Sequence, residues 1–107
     1  IETVCKFFGV TREDLFSSSK KKELTISRQI IMYFLRNLLN KSLKEISGIF
    51  KKEHPTVIYN IKTLENKLKK DLSLKMKVDY LFKEISKELS DQSSEIEYNL
   101  NDSKNSI

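Results

Sequence analysis

A chain of 107 residues is one domain by length and can bury roughly two thirds of its unfolded surface without staples. Its single cysteine, Cys5, excludes an internal disulfide and fits a reducing compartment, and no apolar run approaches the ~20 residues of a membrane span. The net charge of +5 is unevenly spread: residues 1–70 carry 15 Lys and Arg against 7 Asp and Glu, whereas residues 71–107 carry 5 against 8. A concentrated basic half is the electrostatic footprint of a nucleic-acid or acidic-membrane binder, the plain alternative being a solvated basic face. The chain opens on Ile1 rather than Met, which leads us to expect a fragment of something longer. No charged start precedes an apolar run, so the opening does not read as a signal peptide.

Two glycines, one proline and no strand-like alternation make the periodicity helical nearly throughout, so the expected class is all-α. Ile1, Val4, Cys5 and Phe8 share one helical face, and Gly9 closes that turn. Thr11-Arg12-Glu13-Asp14 is a capping pattern opening a short helix that buries Leu15 and Phe16. "SSSKKKE", Ser17 to Glu23, has no apolar residue and a loop composition. A long helix from about Ser27 to Leu39 turns Ile30, Ile31, Phe34, Leu35 and Leu38 inward, and Asn40-Lys41 breaks it.

Ser42-Leu43-Lys44-Glu45 is a capping box, in which serine hydroxyl and glutamate carboxylate satisfy free backbone donors reciprocally. The short helix it opens carries Leu43, Ile46, Ile49 and Phe50 as its apolar stripe. Val57, Ile61, Leu64 and Leu68 recur at spacings of 4, 3 and 4 and predict a further long helix ending near Lys70. Asp71 and Ser73 are cap candidates for a last helix bearing Leu74, Val78, Leu81, Phe82, Ile85 and Leu89. Residues 1–89 form the domain on this reading, and the polar, acidic stretch 90–107 is expected to be a mobile tail.

A short capped helix, a tight turn and a second amphipathic helix make a helix-turn-helix, whose second helix presents its N-terminal residues to base edges in the major groove. That arrangement explains "IFKKEHPTVIYNI", Ile49 to Ile61, which holds the chain's only histidine and only proline. Pro55 falls in the first helical turn, where the missing N–H costs nothing, and the free donors of that turn favour a nearby phosphate. Val57, Ile61 and Leu64 bolt the helix to a core, leaving Glu53, His54, Pro55, Thr56 and Asn60 at the outward tip. Taken singly, each has a plainer reading: a surface histidine, a capping glutamate, ordinary helix-face polar residues. "KKK" at Lys20–Lys22 is equally compatible with a solvated loop.

"FKKEHPTV", Phe50 to Val57, resembles the signature of the bacterial replication initiator DnaA family in its C-terminal DNA-binding domain, which reads Phe-Gly-x-Arg-Asp-His-Thr-Thr-Val. "FFGVTREDLF" (Phe7–Phe16), "SRQIIMYFLRNL" (Ser27–Leu38) and "SLKEI" (Ser42–Ile46) resemble further family stretches in the same order, so that the likeness covers about residues 1–89. The resemblance implies a six-helix, Trp-repressor-like helix-turn-helix domain that binds a short, A/T-rich site in double-stranded DNA at the replication origin, as a monomer. It implies base contacts from Glu53, His54, Pro55 and the adjacent Thr56, a further groove contact from Lys44, and a minor-groove contact from Lys20. It implies phosphate contacts from Arg28, Gln29, Arg36, Ser42, Lys52 and the backbone amide of Leu43, with Lys21 and Lys22 adding positive charge for the backbone. A bacterial cytoplasmic, nucleoid-associated setting goes with it, as do other initiator protomers met through absent domains and acidic phospholipids as an associated ligand. ATP belongs to a preceding domain of the family and is not expected on this chain.

The likeness has departures. Ser47 stands where the family has glycine, and the turn after Phe50 lacks its glycine and is one residue shorter. Pro55 replaces a threonine, Glu53 is one methylene longer than aspartate, and Lys20 and Lys52 replace arginines. Lysine lacks the planar fork and is more strongly hydrated, so a blunter reading of the site is expected, offset electrostatically by Lys21 and Lys22.

An enzyme finds little support: one histidine and one cysteine lie far apart, and there is neither a phosphate-cradling glycine loop nor a cluster with metal-ligand spacing. Two binding alternatives stay open at this point. One is a dimeric transcription regulator using the same helix pair; the other is a helical interaction module whose basic face meets an acidic partner or anionic lipid.

Overall fold

The computed structural model describes the backbone of residues 1–105 and the side chains of residues 1–90. Six helices follow one another: α1 (Glu2–Phe8), α2 (Arg12–Leu15), α3 (Lys22–Asn37), α4 (Leu43–Phe50), α5 (His54–Lys70) and α6 (Leu72–Asn105). Among the described residues there is no strand, as the periodicity predicts, and no helix is long and apolar enough to cross a membrane.

The helix ends follow local chemistry. Gly9 closes α1 in the left-handed conformation (φ 67°), and the next amide, of Val10, donates to Cys5 O at 3.0 Å. Thr11 Oγ1 accepts from the Asp14 amide at 3.0 Å and opens α2. Asn40, one of the residues that tolerate φ > 0, takes φ 54° in the break between α3 and α4. Asp71, not Ser73, caps α6: its Oδ1 accepts from the Leu74 amide at 3.0 Å.

The core gathers on α3, where Ile30, Ile31 and Met32 are buried in succession and Phe34 and Leu35 follow. Three consecutive buried residues cover almost a full turn, so α3 is enclosed by its neighbours rather than merely amphipathic. Val4 of α1, Leu15 of α2, Ile46 and Phe50 of α4, Val57, Ile61 and Leu64 of α5, and Val78 and Leu81 of α6 complete the cluster. Cys5 belongs to it, and burial pushes its thiol pKa up, as expected for a structural rather than a reactive cysteine.

The structure corrects the sequence reading in three places. First, α3 begins at Lys22, about a turn before Ser27, because Leu24 is a core residue (4% exposed) and Ser27 Oγ donates to Glu23 O at 2.6 Å within the same helix. Second, Phe16 is 41% exposed: Leu15 takes the core position, and Phe16, at the C-cap of α2, lies against the ring of Phe50 with centroids 5.4 Å apart. Third, the capping box of α4 closes differently. Ser42 Oγ accepts from the Glu45 amide at 3.1 Å, but the glutamate side chain meets the serine hydroxyl at 3.4 Å and Lys41 Nζ at 3.6 Å instead of a backbone amide. The backbone of α6 runs to Asn105, and the expectation of a mobile tail over 90–107 falls largely outside the described residues. Residues 106–107, and the side chains beyond Ser90, lie outside the described residues.

Candidate nucleic-acid interface

Helix α4, the turn Lys51–Glu53 and helix α5 form the helix-turn-helix, and its geometry is set by what α5 buries. Val57 and Leu64 are 0% exposed and Ile61 7%, one residue per turn on the side facing α3 and α4. The register forced by Val57 puts Glu53, His54, Pro55 and Thr56 outside, and all four are exposed. None of these four side chains has a hydrogen-bond or ion-pair partner among the described residues. Glu53 is the N-cap by position, yet its carboxylate makes no capping bond, and Pro55 sits in the first turn. The tip is therefore a polar surface held rigidly from behind and unused by the fold. Asn60, also at the tip by periodicity, instead turns its Nδ2 back to Thr56 O at 2.8 Å.

The turn before the tip is built without glycine. Lys51 adopts φ 53°, ψ 47°, the left-handed region in which an L side chain crowds the backbone, while the amide of Lys52 donates to Ser47 O at 3.1 Å. The conformation is thus the one a glycine takes most readily, and this chain reaches it with a lysine. Replacing Lys51 by glycine should stabilise the domain by about 0.5–1 kcal/mol, the relief of crowding being partly offset by a freer unfolded chain. A thermal melt reads this as a rise of a few degrees; an unchanged or lower midpoint would show that the turn carries no such cost.

The other predicted contacts divide into two groups. Lys20, Lys21, Lys44 and Lys52 are exposed, and Lys22, also exposed, is the first residue of α3 rather than a loop residue. Ser42 is the N-cap of α4 and Leu43 its first residue; with the Glu45 amide taken by Ser42 Oγ, the amides of Leu43 and Lys44 have no intrahelical acceptor and are available to an anion. Arg36 is exposed and spends one donor on Lys41 O at 3.1 Å, steadying the break before α4.

Arg28 and Gln29 are placed otherwise. Gln29 is 4% exposed, and its Oε1 accepts from Lys67 Nζ at 3.1 Å, tying α3 to the end of α5. Arg28 is half-buried, with its guanidinium directed at backbone carbonyls of the α2–α3 segment, and burial lowers its pKa from the ordinary value. Arginine stays charged regardless. Neither Lys51 nor Phe16 is among the site residues predicted from the sequence. Phe16 is informative because its ring touches Phe50, the residue just before the turn, and so brings the root of the basic loop beside the root of the recognition tip.

What this surface offers chemically is a carboxylate able to accept from cytosine or adenine amino groups, an imidazole, and the apolar edges of Pro55 and Thr56 for a thymine methyl. Around it lie lysine charges and helix-end amides suited to phosphates.

Comparison with known proteins agrees with this geometry. The family described as "Bacterial dnaA protein helix-turn-helix" matches residues 1–64. Chromosomal replication initiator protein DnaA of Pseudothermotoga lettingae is 36% identical over 94 residues, 87% of this chain and 21% of that protein. The proteins of the same name from Desulfotalea psychrophila and Chlorobaculum tepidum are 42% identical over 74 residues (69% of this chain, 15% of that protein) and 38% over 85 residues (78% and 17%). The chain thus spans about a fifth or less of the relatives it matches, and the matched family is that of the helix-turn-helix, not of a catalytic domain. With more than half its length matched, and the exposed tip and buried stripe where such a helix pair needs them, the chain belongs to the bacterial DnaA helix-turn-helix family, the DNA-binding domain of replication initiators.

Proposed function

We propose that this chain reads a short site in double-stranded origin DNA, of the kind bound by DnaA, as a monomer. The first turn of α5 enters the major groove and the loop around Lys20 reaches toward the minor groove. The observation that carries the reading is the contrast at one helix end: four exposed, unengaged residues, Glu53 to Thr56, precede the fully buried Val57. An unused polar tip on a rigid support is what base readout requires, because side chains held in place lose little entropy on binding. Lys20 and Lys44 belong to the groove-facing set on this reading, and Lys21, Lys22, Lys52, Arg36, Ser42 and Leu43 to the phosphate-facing one. No cofactor is needed for this act; ATP, other initiator protomers and any phospholipid contact belong to the wider behaviour of a longer initiator.

The test is a titration against a labelled duplex carrying a DnaA-type site and against a scrambled duplex, at several salt concentrations. Tighter binding to the site should persist as salt rises. With about six phosphates contacted, log affinity should fall against log salt with a slope near −5. Equal binding to both duplexes, lost together as salt rises, would reduce the surface to a basic face without sequence readout. An inverted-repeat preference with a dimeric protein would favour a transcription regulator.

A further inference from the structure

We propose that Arg28 serves DNA binding as a positioning residue for the basic loop, its guanidinium fork spent on the loop rather than on a forked grip of a phosphate. The inference rests on the proposal that this loop contacts DNA. Arg28 Nε donates to Leu15 O at 2.7 Å and Nη1 to Ser19 O at 2.6 Å, while Nη2 is shared between Ser17 O at 2.9 Å and Asp14 O at 3.2 Å. A guanidinium has five N–H donors, and four are committed here to backbone carbonyls. A forked grip on phosphate needs two parallel donors, so the side chain would have to abandon the loop to make one.

The carbonyls it gathers run from Asp14 to Ser19, the end of α2 and the stem of the loop that carries Lys20. The loop is wired internally as well. Ser17 Oγ donates to Asp14 O at 2.6 Å and accepts from the Ser19 amide at 3.2 Å, and Ser19 Oγ accepts from the Lys21 amide at 3.4 Å. Lys20 therefore sits between a residue whose carbonyl is held by Arg28 and one whose amide is held by Ser19. A serine- and lysine-rich segment with no apolar residue has no packing of its own to fix it. The guanidinium replaces that packing from inside the domain. A loop already in place does not lose conformational entropy when it meets a groove, and its lysine arrives at a defined position.

Arg28→Lys separates the two roles, because lysine keeps a charge able to meet a phosphate but cannot reproduce the fork. With the loop released, the preference for a DnaA-type duplex over a scrambled one should fall about fivefold to tenfold, the order of one lost groove contact, and the salt slope should stay as in the wild type. The loss should not add to that of Lys20→Ala: the double variant should discriminate no worse than Lys20→Ala alone, since both remove the same contact. If Arg28→Lys preserves the preference, or if its loss adds in full to that of Lys20→Ala, the positioning role is overturned. A wild type that prefers neither duplex overturns the DNA-reading proposal, and this inference with it. A wild type that discriminates while Arg28→Lys does so equally well overturns this inference alone.

Because Arg28→Lys also loses bonds that hold the fold, the wild-type chain supplies an independent readout. In its NMR spectrum the Arg28 Nε–H should exchange slowly before DNA is added and shift little on adding the specific duplex, while the Lys20 and Lys21 amides shift. Rapid exchange in the free protein, or a large Nε–H shift on binding, would overturn the proposal.

Discussion

Replacing His54 and Thr56 together by alanine should leave the domain folded and blind to sequence. Both side chains are exposed and neither has a partner among the described residues, so their loss should change stability by no more than about 0.5 kcal/mol. If both touch bases, each lost contact weakens binding to the specific duplex by about 1–3 kcal/mol, and together they bring its affinity near that for a scrambled duplex. Nonspecific binding and its salt dependence should be untouched, because the lysines and helix-end amides proposed to meet phosphates lie elsewhere on the surface. Fluorescence anisotropy with the two duplexes, beside a thermal melt, gives all three quantities. Equal loss on both duplexes would mean that the tip holds backbone rather than bases. Retention of full preference would move recognition away from α5 and favour a protein- or lipid-directed basic face.

That test is aimed where the sequence is most legible. The helix pair can be read from local signals alone: a serine cap at Ser42, a proline in the first turn at Pro55, and apolar residues at Val57, Ile61 and Leu64 in helical register. Each of these acts within one or two turns of itself, and the structure keeps all of them. What cannot be read is chemistry that reaches across the chain. Arg28 and Gln29 match phosphate-holding positions by resemblance, but their partners lie 9–14 and 38 residues away and are set by how α2 and α5 pack on α3. The loop beyond Phe16 looks like a solvated serine-lysine run because its order comes from hydroxyl and guanidinium bonds to carbonyls, which leave no hydrophobic periodicity. The left-handed turn at Lys51 is hidden for a related reason: without glycine, nothing in the composition marks it. Met32 escapes the amphipathic pattern since a helix enclosed on nearly all sides has no polar face to count against.

Leu64→Ala should be the most damaging single truncation of the recognition helix, and its effect should be on folding rather than on reading. Leu64 is 0% exposed and belongs to the α5 stripe packed on α3, so the change removes buried methyl groups and leaves a cavity, at a cost of about 2–5 kcal/mol. A small domain holds about 5–15 kcal/mol in all, so a large share of its stability goes. At about 4–8 °C per kcal/mol, the melting midpoint should drop by at least ten degrees or so. Leu72→Ala is the matched control: the same atoms are removed from a leucine that is 72% exposed at the start of α6, and the change should stay within about 0.5 kcal/mol. Below its lowered midpoint, Leu64→Ala should still prefer the specific duplex by the wild-type ratio, because Leu64 lies two turns from Thr56 and the tip is anchored locally by Val57 and Ile61. The two variants then form opposite pairs, one stable and unselective, the other unstable and selective. Should Leu64→Ala lose preference while still folded, the tip is positioned by the whole length of α5 rather than by its first turns, and base readout and core packing are a single property of this helix.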